Sequence, residues 1–563
     1  MTSKSIDNKM KKIFSTYTDK KKRLEIIMTE FGSLNWSILI VYIVANLLLG
    51  LVIGKRIKTD NDFYIGQKTT PWWAIGISVV ATYVSAMTFL GAPAWAYKDG
   101  LSVIAIHLNY PLVIMIVIIF FFPFFYNSGV ASIYEYQEKR FGKRARALIS
   151  SIWLVSQTMS SAAVLYATSA VLSFITGVDV IAAIFIVTFI ALAYTVLGGI
   201  TAVIWTDVIQ SVILFAGAGI IFYALLNESS FSVMDSLVQL KAEGKLNPLN
   251  TDWDFNATTT VWSGIIAMTL YHTTVYGTNQ MMVQRTLAAK NIGDAKKSYL
   301  LMGFAAFFIY LFFIVLGVLF YSYYQGKTFD NENLIILEFA AEYGMPGLMG
   351  LIAAAVMAAS MSSLDSAFNS LSTVTTIDFY KKYFKKGAPE AHYLKASRLF
   401  TLFWALLIIF PAIMYHLHSS GSILEVLSKV GSYFVGAQLG MFGLGFFSKQ
   451  ATENGLLVGT AVGFATVVAV ALGTDVAWPW YCLIGAAGNV IATLIASRII
   501  DGKQYELSEY TVKGQQLKFA REGLAEKENG WYRIPGKVDR VNYWLFAFFI
   551  LTLVFLWSIQ YMV

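Results

Sequence analysis

Ala81-Thr82-Tyr83-Val84-Ser85-Ala86-Met87-Thr88 stands in the middle of an apolar run from Trp72 to Tyr97, with Gly91 and Pro93 close behind it. A run of that length crosses a bilayer as a helix, because about 20 residues rising about 1.5 Å each span the hydrocarbon. Hydroxyl side chains, a glycine and a proline in its middle make a break in that helix plausible. A break frees backbone carbonyls at mid-membrane depth, and these are tolerated only where they line a cavity or bind an ion.

The chain around this stretch has 563 residues, of which 57% are hydrophobic, 15% aromatic and 13% charged. A soluble chain carries about 25% charged residues, so the composition disfavours a soluble multidomain enzyme. It excludes disorder, which is poor in aromatics and rich in charge. Cys482 is the single cysteine, which rules out an internal disulfide and a cysteine-ligated zinc or iron–sulfur site. The net charge of +8 fits Lys and Arg gathered in cytoplasmic loops, so the expected surroundings are a lipid bilayer and not nucleic acid. No obligate protein partner is evident.

Apolar stretches lie near 35–54, 72–97, 101–126, 147–175, 178–197, 200–226, 258–279, 298–324, 347–378, 393–416, 422–447, 454–473, 475–499 and 541–562. The fold class expected is an all-α polytopic membrane protein with about 14 transmembrane helices. The chain divides into a basic N-terminal tail (1–34), an extra first helix and cytoplasmic loop (35–71), a first repeat (72–226) and an extracellular loop (227–257). A second repeat (258–447) and additional C-terminal helices (448–563) with a cytoplasmic loop (500–540) follow.

Loops after odd-numbered spans are basic, with Lys55, Arg56, Lys58; Lys139, Arg140, Lys143, Arg144; Arg285, Lys290, Lys296, Lys297; and Lys381, Lys382, Lys385, Lys386. The positive-inside rule makes these cytoplasmic and puts both termini outside, in a cell membrane and, for a bacterium, the inner one. Residues 1–27 break the rule, carrying Lys4, Lys9, Lys11, Lys12, Lys20, Lys21, Lys22 and Arg23. They lack the apolar core of a signal peptide. An appended segment and a short basic surface helix are both open.

Polar residues inside spans are expensive and mark function. The ninth span holds Ser360, Ser362, Ser363, Asp365 and Ser366, whose spacings put several hydroxyls on adjoining helix faces. Small residues also let helices pack closely. Close packing has no use for a carboxylate, however, whereas a hard cation asks for hydroxyl, carbonyl and carboxylate oxygens. A cation site is favoured. The seventh span is interrupted in turn at His272-Thr273-Thr274-Val275-Tyr276-Gly277-Thr278-Asn279-Gln280. Two interrupted spans, the second and the seventh, fit an inverted repeat of five helices plus five.

Five runs in order carry a resemblance: Ala81–Gly91; Ser132 to Tyr136 with Arg140-Phe141; Gly198-Gly199 through Trp205-Thr206-Asp207; Gly277 to Arg285; and Ala353 to Asp378. The chain resembles the sodium/solute symporter family, which includes sodium/sugar, sialic acid, iodide and monocarboxylate transporters. The resemblance implies a leucine-transporter-type fold and Na+ as the coupling ion. It carries a first sodium site to the carbonyls of Ala81, Val84 and Ala359 and the hydroxyls of Ser362 and Ser363. A second sodium site, present in some branches, maps to Asp207, Ser362, Asp365 and Ser366. Asp365 departs from the serine usual there; an extra carboxylate strengthens a second cation site or takes a proton instead.

The sugar branch's pocket residues map to His107, Ser160 and Ala306, and the sialic acid branch's arginine to the neighbourhood of Ser160, so neither pocket is kept in kind. The remaining substrate candidates are Tyr83, Ser85, Thr88, His107, Ser160, Ser161, His272, Thr273 and Tyr276. With no Lys or Arg aimed inward, a sugar or polyol is the first expectation for the small-molecule substrate. A small carboxylate, held by hydroxyls and helix N-termini, is the alternative. The expected function is a sodium-coupled secondary symporter importing a small polar solute by alternating access, and not an enzyme. The five histidines show no His-Glu-x-x-His spacing for an intramembrane metallohydrolase. A channel fits paired broken helices less well than an occluded midplane site does. A membrane sensor on the same fold is expected to carry a signalling domain, and none follows the last span.

Overall fold

A computed structural model describes residues 31–228, 232–329, 331–418, 423–502 and 507–561. The basic segment 1–27 lies outside the described residues. Apart from a two-stranded hairpin, Lys527–Glu528 with Trp531–Tyr532, the regular structure described is helical. Ten helical segments among the described residues are long and apolar enough to cross a membrane.

The helices that build the bundle are α1 (Ser33–Gly54), α2 (Trp72–Tyr83), α3 (Ala92–Asp99), α4 (Lys143–Thr176), α5 (Val180–Leu226), α6 (Met268–Thr278) and α7 (Gln280–Leu287). They continue as α8 (Ile292–Tyr323), α9 (Leu348–Val374), α10 (Glu390–His418), α11 (Ile423–Phe447), α12 (Glu453–Gly473), α13 (Tyr481–Ile500) and α14 (Arg540–Ile559). Two stretches expected as separate spans, 178–197 and 200–226, form α5 as one path bent at Gly199, whose φ of 53° and ψ of −155° leave the helical region. Glycine is required there, since a Cβ would sit 2.8 Å from the Phe63 carbonyl oxygen.

At the centre lies α9. Every residue from Ile352 to Val374 is buried, so this helix presents no face to lipid. It packs along α5, α4 and α1. A helix enclosed on all sides whose sequence is rich in serine must pair its hydroxyls internally. The serines therefore report what α9 touches.

The second span breaks where expected, but not at its glycine and proline. Helix α2 ends at Tyr83, and Val84 leaves the helical region with ψ 82°. Ser85 starts the next segment: its carbonyl accepts from Thr88 N at 2.9 Å, and its Oγ from Met87 N at 3.2 Å. Gly91 and Pro93 fall inside the helical continuation, Pro93 just after the π-helical turn Met87–Gly91. The seventh span breaks at Asn279 (φ −91°, ψ 119°), the end of the polar interruption and not its middle; His272 sits within regular helix.

The described part of the polar loop, 507–540, folds back over the end of the bundle that carries the basic loops. It holds a helix over Val512–Glu522 and is anchored by Tyr136 Oη to the Tyr510 carbonyl (2.8 Å) and Asn127 Nδ2 to the Arg533 carbonyl (2.9 Å). Two cations assigned to loops by charge counting are buried instead. Lys296 lies against Asp539 at 2.6 Å, and Arg285 sits in the interior on α7.

Candidate functional site

The break after Tyr83 delivers its freed carbonyls to α9. Ser362 Oγ lies 3.0 Å from the Ala81 carbonyl oxygen and 3.0 Å from that of Ala359. Ser363 Oγ donates to the Thr82 carbonyl at 3.0 Å. Ala81, Val84, Ala359, Ser362 and Ser363, the five residues expected around a first cation, are buried at this one junction, with Val84 forming the bend itself. Carbonyl and hydroxyl oxygens converging without a formal charge are a donor set suited to a hard monovalent ion.

One turn deeper along α9 lies a charged group. Ser78 Oγ donates to Asp207 Oδ2 at 2.5 Å, and Thr206 and Tyr194 bring their hydroxyls to Asp365 Oδ2 at 3.4 and 2.9 Å. Ser366 Oγ is 3.1 Å from Asp365 Oδ1 and also bonds the Ser362 carbonyl. The expected residues Asp207, Asp365 and Ser366 thus share one buried cluster. The unexpected member is Arg285, fully buried, whose guanidinium lies 3.3 Å from Asp207 Oδ2, 2.7 Å from Ser78 Oγ through Nε, and in contact with Ser366 Oγ. The two carboxylates of the cluster have one cation between them. Asp207 has a cation beside it; Asp365 forms no ion pair among the described residues.

Beside the first group opens a cavity of about 290 Å³ lined by Tyr83, Ser85, Thr88, His107, Ser160, Ser161 and His272, all expected from sequence. Thr273 and Tyr276, expected with them, do not line it. Both are buried behind the wall, where Thr273 Oγ1 and Tyr276 Oη have no hydrogen-bond partner among the described residues. About 100° of helical rotation per residue turns Thr273 away from the face that His272 presents. Tyr276 instead packs its ring against Tyr83 at 5.4 Å and Tyr299 at 5.8 Å.

Three amides missed by sequence reasoning also reach the cavity: Gln157, Asn279 and Gln438. Asn279 accepts from Trp153 Nε1 at 3.0 Å and donates to Gln157 Oε1 at 3.3 Å, while Gln157 Nε2 donates to Ser161 Oγ at 3.1 Å. Gln157 was within reach of the sequence, being four residues before Ser161 and so on its helix face. At the other wall His107 stacks on Tyr310 at 3.6 Å. Asn109 gives its amide hydrogens to the Ile106 and Gly264 carbonyls, at 2.9 and 3.1 Å, so its Oδ1 accepts from His272 Nδ1–H at 2.6 Å. That bond fixes the tautomer and leaves Nε2 of neutral His272 an acceptor.

Two structural features connect three of the five sequence runs. Arg146 on α4 bonds Asp378 at 2.5 Å, and Ser132 and Ser150 bond the same carboxylate at 2.8 and 2.7 Å. Gln280 accepts from Ile133 N at 2.9 Å and donates to the Ala131 carbonyl at 2.8 Å.

Residues 63–463 match the sequence profile of the sodium:solute symporter family. The chain is 30% identical over 489 residues to the sodium/sialic acid symporter SiaT of Proteus mirabilis (strain HI4320), covering 85% of this chain and 98% of that protein. It is 30% identical over 434 residues to the human sodium-coupled monocarboxylate transporter 1, covering 74% of this chain and 69% of the relative. A solved structure of a Na+-coupled sialic acid symporter, substrate-bound and outward-open, superposes with TM-score 0.78 at 29% identity, over 85% of this chain and 100% of that one.

Proposed function

The chain belongs to the sodium:solute symporter family, and from that premise we propose that it imports a small carboxylate by sodium-coupled alternating access. The first expectation, a sugar or polyol, gives way to its alternative. The relatives named above carry sialic acid or monocarboxylates, and both are anions. The observation that carries the reading is a shared wall: Ser363 lines the solute cavity and also stands in the sodium group, and its hydroxyl is bonded at 3.0 Å to the carbonyl of Thr82, a second lining residue. A sodium held by Ala81, Val84, Ala359, Ser362 and Ser363 puts its positive charge next to the cavity. An anion can then bind there without Lys or Arg in the lining.

The polar lining supplies the rest: Ser160, Ser161, Thr88 and Gln157 donate to carboxylate oxygens, and neutral His272 accepts from a solute hydroxyl. At about 290 Å³ the cavity is at the lower edge of the roughly 300–1,000 Å³ typical of small-molecule sites, which favours a compact monocarboxylate over a nine-carbon sugar acid. The Asp207, Asp365 and Ser366 cluster takes a second monovalent cation. Counting α5 as two crossings, each broken helix as one and the helical stretch 100–128 as one, the chain makes about 14 crossings in a five-plus-five inverted repeat of the leucine-transporter type. The basic loops face the cytoplasm and both termini lie outside a cell membrane, the inner membrane in a bacterium.

Uptake into proteoliposomes under a sodium gradient tests the proposal, with short monocarboxylates, sialic acid, hexoses and polyols offered in parallel. Monocarboxylates are expected to be accumulated. Accumulation of hexoses or polyols alone would return the reading to a neutral solute.

A further inference from the structure

Asn109 sits at the turn between the helical segments Gly100–His107 and Tyr110–Ile116 and is fully buried. A buried amide must place two hydrogens and one oxygen, and the neighbours here settle which is which. Nδ2 lies 2.9 Å from the Ile106 carbonyl and 3.1 Å from the Gly264 carbonyl, and both can only accept. The second is within reach because Gly264 lies against the backbone of the same segment; a Cβ there would overlap the Ala105 carbonyl oxygen. The reversed amide would set Oδ1 against two carbonyl oxygens. Oδ1 therefore faces the other way, onto His272 Nδ1 at 2.6 Å.

An oxygen so placed takes a hydrogen from the ring and leaves Nε2 to the cavity that His272 lines. Nε2 has no hydrogen-bond partner among the described residues. Tyr110 stacks on the imidazole at 4.8 Å and Tyr83 meets it edge-on at 5.6 Å, which holds its plane. Among the described residues the cavity lining has no Asp or Glu to balance an imidazolium in the bilayer interior, so the ring is neutral and Nε2 carries a lone pair.

A lone pair at that point sorts solutes. A hydroxyl donates to it. A carboxylate or keto oxygen meets it lone pair to lone pair, and an alkyl group displaces water and leaves it unserved. The solute's carboxylate is thereby turned away from His272, towards the hydroxyls and amide of Ser160, Ser161 and Gln157.

We propose that Asn109, which stands behind the cavity wall, is a positioning residue: by fixing His272 with Nε2 bare, it makes the cavity select carboxylates that carry a hydroxyl over their deoxy and keto analogues. The inference rests on the carboxylate reading of the cavity and adds the second functional group of the solute.

Proteoliposomes holding the full chain are offered butyrate, α-hydroxybutyrate, β-hydroxybutyrate and α-ketobutyrate under a sodium gradient. At least one hydroxy acid is expected to half-saturate uptake at about tenfold lower concentration than butyrate, with the keto acid the poorest. Asn109→Leu and His272→Phe are each expected to bring that ratio near one, and the two together to lower it no further, as befits a residue acting only through another. Nitrogen NMR of protein carrying labelled histidine reads the tautomer. The His272 signal, identified by its loss in His272→Phe, is expected to show a bare Nε2 in the wild type and mixed protonation in Asn109→Leu. If Asn109→Leu does not fold, the wild-type spectrum and the ratio in His272→Phe decide. Hydroxy acids no better than butyrate, a ratio kept in Asn109→Leu, or a protonated Nε2 in the wild type would overturn the proposal. Uptake of none of the four acids would instead strike at the carboxylate reading, so the two failures are distinguishable.

Discussion

Arg285 and Asp207 face each other at 3.3 Å, both with 0% exposure. Removing one member of such a pair strands the other, at a cost of about 3–5 kcal/mol. Arg285→Ala is therefore expected to lower thermal stability in detergent by that order, and Arg285→Ala with Asp207→Asn to recover most of it. Additive losses in that double-mutant cycle would show that the two do not act as a pair. Ser362 predicts the opposite balance. Its hydroxyl touches the Ala81 and Ala359 carbonyls at the proposed sodium site, so Ser362→Ala should raise half-saturating sodium in uptake while melting stays near wild type. If Ser362 were a packing residue only, alanine would serve equally well and half-saturating sodium would not move. At this scale the serines and aspartates were legible, because polar atoms in an apolar helix have few other reasons to be there. Arg285 was not. Near a span's end it reads as a loop cation, and its partner Asp207 is 78 residues away in sequence.

Breaks and bends in helices were legible in kind but not in place. Hydroxyl-rich interruptions in the second and seventh spans announced two discontinuous helices. The bends fall at Val84 and Asn279, where a serine or asparagine side chain caps the segment that follows. Gly91 and Pro93 drew attention because each disfavours a helix interior, yet the helix continues through them by way of the π-helical turn Met87–Gly91. The amides Gln157, Asn279 and Gln438 could not be assigned to the cavity as a group, since each is a lone polar residue whose facing depends on how its helix packs. Gly199 offers the sharpest test of an element. Positive φ and a Cβ position 2.8 Å from the Phe63 carbonyl both forbid a side chain there. Gly199→Ala should cost roughly 1–3 kcal/mol or more in stability, read by melting in detergent. An unchanged melting temperature would mean that α5 does not need this bend.

Coupling belongs to the whole molecule, and its charge balance follows from the sites taken together. One sodium with one carboxylate anion moves no net charge, so membrane potential would add nothing to accumulation. A tenfold sodium gradient, worth about 1.4 kcal/mol, would then support about a tenfold solute gradient. If a second sodium held at the Asp207, Asp365 and Ser366 cluster travels with them, one positive charge crosses per cycle, and each 100 mV contributes about 2.3 kcal/mol. A tenfold sodium gradient acting on two ions with 100 mV, inside negative, then sustains roughly 5,000-fold accumulation. Potassium diffusion potentials imposed on proteoliposomes separate the cases. The expected outcome is uptake that requires sodium and rises as the interior is made negative. Uptake of a carboxylate that depends on sodium but ignores voltage would leave a single sodium coupled to each solute. Uptake that survives replacement of sodium by choline would contradict sodium coupling itself, because the oxygen cluster at Ser362 would then have no ion to hold.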